Sequence, residues 1–351
     1  MVSLVNGSVM SLYPRLFALA RTLAARFRDR RTMARLAAKL GPDHFRRLDD
    51  PAAARRLFKD TVNHIELELF SYCNRTCSFC PNSRIDRRSA NNHMDPALYG
   101  KILEDLASID YAGMINFVRY NEPLADRIIL ERLAQARAAL PRALLSTHTN
   151  GDYLDRDYLE ELYAAGLRRL KIQVYLGPDD PFDDARMLAR MRRKTDQLRV
   201  RSVLWRRLPG QAYTARLFFR DMDLSLMATN WNDVGYDRGG LVGVPHDHPR
   251  VSPCTFMMEK LFIDWNGAVV PCCNIRSDAP EHAAYVVDTL SPDRSLFQAY
   301  AASPLVEWRR DLIGWGAKQS PCDTCTLEEL SDRPALRRSS ETISAHIPPH
   351  A

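Results

Sequence analysis

At 351 residues the chain is too long for one small module and suits one large α/β domain with a smaller appendage. Apolar residues at 46% and charged residues at 26%, with ordinary Gly and Pro, exclude wholesale disorder, and a net charge of +6 is too modest to call for nucleic acid. No apolar run reaches the length of a membrane span and the N-terminus lacks the order of a signal peptide, so no transmembrane segment is expected and the chain reads as cytoplasmic.

Residues 1–62 read as a basic helical extension. Leu12, Leu16, Leu19, Leu23 and Phe27 recur at helical spacing, and Arg15, Arg21, Arg26, Arg28 and Arg30 occupy much of the rest. Such a helix packs on the main domain with a solvated Arg face, or lies against a membrane surface or an acidic partner. From residue 63 to 245 strand and helix alternate. The run from His64 to Leu69 has the period-two alternation of a strand with one buried face. Asp95 and Pro96 read as the N-cap and first turn of a helix carrying Leu98, Ile102, Leu103 and Leu106. A strand near 115–118, a helix over 127–139, a strand near 143–147, a helix over 155–165 ended by Gly166 and a strand near 170–174 follow. Helical 182–197 and strands near 200–205 and 224–228 come next, and repeated β-α units of this kind build a parallel sheet or barrel. After Asn230 the sequence turns irregular, which places a boundary near 245. A second unit spans 246–330, and the tail 331–351 has no periodicity and is expected to be disordered.

Eight cysteines in a chain without a secretory signal point to metal ligation or catalysis rather than to a disulfide framework. Cys73, Cys77 and Cys80 fall in the loop after the first strand, and the other five lie beyond residue 250. Three thiolates are one fewer than a structural zinc or an electron-transfer cluster normally uses, so one metal position stays open to a substrate or cofactor.

Cys73-x3-Cys77-x2-Cys80 after the first strand of a β-α series, with Phe79 just before the last cysteine, resembles the radical S-adenosylmethionine superfamily. The resemblance implies a partial (β/α)6-type TIM barrel in which the three thiolates hold a [4Fe–4S] cluster and S-adenosylmethionine binds the open iron. One electron then breaks the sulfonium bond to give a 5′-deoxyadenosyl radical. Asn121-Glu122-Pro123 resembles the end of the family's Gly-Gly-Glu-Pro motif that holds the methionyl amino group, although both glycines are replaced. Thr149-Asn150, before Gly151, resembles a segment at the end of the third strand, and Gln173 or Tyr175 stands where a polar residue meets the ribose. The bare residues also allow an ordinary Asn-Gly turn at 150–151.

Cys254, Cys272, Cys322 and Cys325 supply four thiolates in two pairs, a set that suits zinc or a fully ligated iron–sulfur cluster. The arrangement resembles the SPASM or twitch extension of one branch of the same superfamily, which implies one auxiliary [4Fe–4S] cluster in a small C-terminal domain. Residues 262–267 read as a strand and turn of a hairpin. Cys273 is left over, either a buried bystander or a thiol that returns hydrogen to a substrate radical. If it faces the cavity it argues for epimerisation, and if it faces the core it leaves dehydrogenation by electron loss to the auxiliary cluster.

The resemblance implies dehydrogenation of a small polar metabolite of sugar, aminocyclitol or nucleoside type, with a flavodoxin or ferredoxin as external electron donor. Alternatives are a radical epimerase, a maturase acting on a peptide substrate, and a non-catalytic metal-binding or electron-transfer protein.

Overall fold

The computed structural model describes residues 27–177, 180–243 and 249–349. The leucines at 12, 16, 19 and 23 lie outside them. Helix α1 covers 27–39, and here the seam differs from the expected one. Phe27 is exposed, while Met33, Leu36 and Leu40 are buried, so the apolar stripe begins one and a half turns later. Helix α2 (Pro51–Thr61) is capped by Asp50, which accepts from Ala52 N and Ala53 N.

Among the described residues ten strands form one sheet. They are β1 (His64–Leu67), β2 (Met114–Asn116), β3 (Leu144–Thr149), β4 (Arg169–Gln173), β5 (Arg201–Leu208), β6 (Ala212–Phe218), β7 (Asp223–Thr229), β8 (Lys260–Ile263), β9 (Ala268–Val270) and β10 (Asp288–Thr289), in the spatial order β10-β9-β8-β1-β2-β3-β4-β7-β6-β5. The stretch from β8 through β1, β2, β3 and β4 to β7 is parallel throughout. Beyond it β9 and β6 pair antiparallel with β8 and β7, so the two ends never meet and the barrel is partial. Helices α3 (Pro96–Ser108), α4 (Ile128–Ala139), α5 (Arg156–Ala164) and α6 (Asp184–Leu198) are the crossovers. Asp95 caps α3 through Ala97 N and Leu98 N, with Pro96 in the first turn as expected.

Strand β5 departs from the expected series. Only three residues join it to β6, too few for a crossover helix, and the two form an antiparallel hairpin at the sheet's edge. The fifth parallel partner is therefore β7. At the other end, Phe262 and the turn at Gly267 (φ +82°) make the expected hairpin, and a Cβ at Gly267 would sit 2.9 Å from Leu98 Cδ2. Because β8 of this hairpin also pairs with β1, the sheet runs on across residue 245.

Short helix α7 (Trp231–Val234) precedes residue 245, and α8 (Phe256–Glu259), α9 (Leu296–Ala301) and α10 (Leu305–Ile313) follow it. The expected disorder after 330 is corrected. Pro334–Ser344 is helix α11, with Leu336 and Ile343 buried at i, i+7 and Ser340 donating to Ile313 O at 2.7 Å. They join Met33, Leu36, Phe45, Met258 and Ile313 in a small second core beside the main one. Among the described residues no helix is long and apolar enough to cross a membrane.

Candidate active site

In β1, Ile65 and Leu67 face the helices, while His64 and Glu66 point inward with Glu68 just beyond them. Glu68 is fully buried, and its Oε1 accepts from Tyr120 N (2.9 Å), Asn121 N (3.0 Å) and Arg87 Nη1 (2.9 Å). Arg87 also donates to Ser71 O (2.9 Å) and Asp278 (2.8 Å), and its own carbonyl accepts from Cys73 N (3.0 Å). One buried carboxylate thus fixes both the loop with Cys73 and the loop with Glu122. A second clasp joins Arg75 to Asp152 through Nε (2.7 Å) and Nη2 (2.6 Å), the bidentate geometry that favours Arg over Lys. Asn74 donates to the same carboxylate and accepts from Asn150 Nδ2, each at 2.8 Å.

These loops enclose a cavity of about 370 Å³ at the carboxyl ends of the strands. Cys73, Cys77, Cys80, Phe79, Asn121, Glu122, Thr149, Asn150, Gln173 and Cys273 all line it. Pro123 is buried behind the wall instead. The thiols are free. Among the described residues no three Cys, His, Asp or Glu side chains close around a single ion position; Cys73, Cys77 and Cys80 share one stretch of wall. Burial pushes the Cys73 thiol up to about 12 and the Cys77 thiol to about 11, each helped by the neighbouring cysteines. Three free thiols with no fourth, next to a buried carboxylate and amides, fit a cluster with one open position.

Glu122 takes Thr149 Oγ1 (2.5 Å) and Leu124 N (3.1 Å) on Oε1, and Asn150 N (2.7 Å) on Oε2. Burial is the largest influence and raises its carboxyl to about 7 against those hydrogen bonds. Gly151 follows at φ +76°, where a Cβ would strike Ile172 Cγ2 at 2.9 Å, so the Thr149-Asn150-Gly151 turn is shaped by packing against β4. Phe79 stacks between Tyr175 (5.5 Å) and Trp231 (6.1 Å). Gln173 Oε1 accepts from Thr229 Oγ1 at 3.3 Å.

The adjacent thiols of Cys272 and Cys273 turn different ways. Cys272 is pushed well above its ordinary value by burial and by Cys273, Cys322 and Cys325, and Cys322 and Cys325 in turn feel Cys254. The thiols of Cys254, Cys272, Cys322 and Cys325 are thus close enough to feel one another's charge, although among the described residues no three of them close around a single ion position. Arg250, buried, lies among them, with Nη1 donating to Cys325 O (3.1 Å) and reaching Cys325 Sγ (3.7 Å), and Asn274 Nδ2 reaches the same sulfur at 3.5 Å. Cys273 instead faces the cavity with Glu66, Arg119 and Arg238, and burial takes its thiol to about 12.

Sequence reasoning did not pick out the inner wall. Glu66, His148, Lys171, Arg119, Arg238, Tyr236 and Met227 all line the cavity. Arg119 is held by Asp264 (2.8 Å) and Ile275 O (2.6 Å). Arg238 donates to Asn274 Oδ1 at 3.2 Å, and its buried Nε has no partner. Burial takes His148 down to about 3 and Lys171 below its ordinary value, while it pushes Glu66 up. A signal was present: charged or polar residues at alternate positions of several strands, with the apolar ones between them, mark a barrel whose interior is a binding site.

Residues 67–205 match the Radical SAM superfamily. The chain is 38% identical over 118 residues, 34% of its own length, to an S-adenosyl-L-methionine-dependent 2-deoxy-scyllo-inosamine dehydrogenase of Niallia circulans, and that stretch spans about half, 47%, of the relative. Among solved structures it is similar to BtrN in complex with AdoMet and 2-DOIA, at TM-score 0.53 and 24% identity over 72% of this chain and 87% of that one. A selenomethionine BtrN in an open conformation aligns at TM-score 0.47 and 21% identity, over 72% and 85%. The first of these structures shows a shared fold.

Proposed function

We propose that the chain, whose residues 67–205 match the Radical SAM superfamily, works as a member of that superfamily with a [4Fe–4S] cluster and S-adenosylmethionine, and that it dehydrogenates a secondary alcohol of a small aminocyclitol-type metabolite. The observation that carries this reading is the coupling of four thiols, Cys254, Cys272, Cys322 and Cys325, directly beside the cavity wall, whereas the cavity-facing Cys273 taken alone argues for the epimerase. Cys272 belongs to that set of four, and the next residue lines the substrate cavity. An electron acceptor held on the four would stand directly behind the substrate, as an oxidation requires. The 38% identity to an inosamine dehydrogenase supports the substrate class.

In this proposal Cys73, Cys77 and Cys80 hold the first cluster, and Cys254, Cys272, Cys322 and Cys325 hold an auxiliary [4Fe–4S] cluster in a twitch-type unit over 246–330. Held there, the clusters and S-adenosylmethionine would supply radical abstraction of hydrogen from a substrate carbon and an acceptor for the electron left behind. Glu122 receives the methionyl ammonium, with the Thr149-Asn150 turn holding its carboxylate in place, while Phe79, Asn121 and Gln173 border the rest of the cofactor. The alcohol carbon loses a hydrogen atom, then the hydroxyl proton and one electron, a two-electron oxidation to the ketone. That hydrogen atom and one electron from an external donor would be accounted for by methionine and 5′-deoxyadenosine as co-products. Of the two carboxylates on the wall, Glu122 is already engaged by Thr149 and Asn150, so the hydroxyl proton goes to Glu66. Arg238, with an unpartnered buried Nε, orients the substrate oxygen.

A second reading has one observation in its favour: Cys273 faces the cavity, where a thiol could return hydrogen and give an epimer. Both are tested by anaerobic reconstitution and incubation with reductant, S-adenosylmethionine and an inosamine in deuterated water. Dehydrogenation gives ketone and 5′-deoxyadenosine in equal amounts, and Cys273→Ala keeps this rate. An unoxidised product carrying solvent deuterium at one carbon, lost in Cys273→Ala, would establish the epimerase instead.

A further inference from the structure

Helix α6 carries Arg186, Arg190, Arg192, Arg193 and Lys194 against only Asp184 and Asp196. Arg186, Arg190 and Arg193 fall at i, i+4 and i+7 on one face. Lys194 is occupied, its Nζ donating to Gly151 O (2.7 Å) and Leu154 O (3.0 Å). That bond ties the helix to the turn whose next residue, Asp152, clasps Arg75, midway between Cys73 and Cys77. Arg190 lies one turn before Lys194 on the same side, and it feels like charges from Arg75, Arg193 and Arg186 against the one carboxylate of Asp152. Arg186 pairs with Asp180 at 2.5 Å. Among the described residues no carboxylate forms an ion pair with Arg190, Arg192 or Arg193, and the nearby Asp152 already belongs to Arg75. A small cleft opens to Cys77 from this side, bordered by Asp180, Phe182 and Met187 near the start of α6.

Like charges at helical neighbour spacing weaken a helix. A stripe of them in which only Arg186 has an ion-pair partner among the described residues, beside the thiols that need an electron from outside, is a surface built for an anionic visitor.

We propose that the Arg186-Arg190-Arg193 face of α6 is the docking surface for a small acidic one-electron carrier protein that reduces the group held on Cys73, Cys77 and Cys80. The proposal rests on the radical S-adenosylmethionine reading. Each encounter oxidises the carrier by one electron, the electron that the cleavage of S-adenosylmethionine consumes. Nucleic acid would fit the charge but gains nothing from closeness to Cys77.

The probes are a bacterial flavodoxin and, in a parallel arm, an acidic ferredoxin, with the reconstituted full chain. Binding is read from the anisotropy of oxidised FMN, and turnover from 5′-deoxyadenosine formed with either the reduced carrier or dithionite. The double variant Arg190→Glu/Arg193→Glu should weaken flavodoxin binding at low salt about tenfold or more and raise the half-saturating carrier concentration alike. Dithionite-driven turnover should stay at the wild-type rate. Wild-type affinity should fall steeply between about 0.05 and 0.5 M salt as the charges are screened. The milder Arg190→Gln/Arg193→Gln should show the same trend if charge reversal disturbs the fold. Unchanged carrier binding in both variants, or wild-type binding indifferent to salt, would overturn the surface, as would tighter binding of an oligonucleotide than of either carrier. No 5′-deoxyadenosine with dithionite would refute the enzymatic reading instead, and the anisotropy would still decide the surface.

Discussion

Glu122→Gln removes one negative charge from a carboxylate that accepts three protein hydrogen bonds and, in the proposed function, a cofactor ammonium. A hydrogen bond to a charged group is worth about 1.5–3 kcal/mol, so S-adenosylmethionine binding should weaken between about 10-fold and 150-fold. The free carboxyl sits at about 7, and only its ionised form receives the ammonium. At pH 6 about a tenth is ionised, so wild-type affinity should be about tenfold lower than at pH 8, and the variant should be flat over that range. Stability without cofactor should move the opposite way. The folded value lies above the ordinary 4.5, so the native chain holds more protons than the unfolded one between pH 4.5 and 7. Stability then falls as pH rises through that window, by about 3 kcal/mol at most. The Gln variant lacks this slope but sets an amide N–H against Asn150 N–H, a loss of about 1–3 kcal/mol. Calorimetric titration with S-adenosylmethionine at pH 6, 7 and 8, alongside urea melts of the cofactor-free chain, measures both. Binding by the variant within threefold of wild type, together with a pH-independent wild type, would refute the role given to Glu122.

Replacing Cys73, Cys77 or Cys80 by Ala should abolish 5′-deoxyadenosine formation while leaving about four irons per chain; full turnover in any of the three would contradict their assignment. Cys322→Ala should reduce iron from about eight per chain to about four and stop ketone formation, and zinc in place of half the wild-type iron would argue against an auxiliary cluster. Glu68→Gln leaves Arg87 nearly buried with Asp278 as its remaining carboxylate, so chemical denaturation should register a loss of about 3–5 kcal/mol, the scale for breaking a buried pair. A loss under 1 kcal/mol would mean that the loops of Cys73 and Glu122 are held by something else.

Local signals in the sequence were strong where one residue's chemistry decides the outcome. Asp95 and Pro96 start a helix, Gly267 permits a hairpin turn, and the spacing of Cys73, Cys77 and Cys80 brings three thiols to one wall. The pairing of Cys254 and Cys272 with Cys322 and Cys325 offered a second thiol set, whose members influence one another's charge in the fold. What stayed hidden depends on contacts far apart in the chain. Glu68 reads as the exposed residue of an amphipathic strand until a barrel buries both faces and brings Arg87 to it. Strand β5 reads like any other strand, and only the short link to β6 makes it antiparallel. Helix α11 has a weak local pattern, because Leu336 and Ile343 are two turns apart and find their partners on Met258 and Ile313.

The ladder between β8 and β1 makes the C-terminal unit inseparable from the barrel. Four residue pairs, from His64 with Lys260 to Leu67 with Ile263, splice a strand from beyond residue 245 onto the first strand of the series. A chain cut at the apparent boundary would expose the edge of β1, whose side chains are packed on both faces, and such an edge invites pairing with other molecules. The C-terminal unit is thus not a module to be exchanged among relatives by joining fragments in that loop. Any chimera must carry β8, and with it the hairpin that sets Cys272 and Cys273, so substrate wall and thiol set are inherited together.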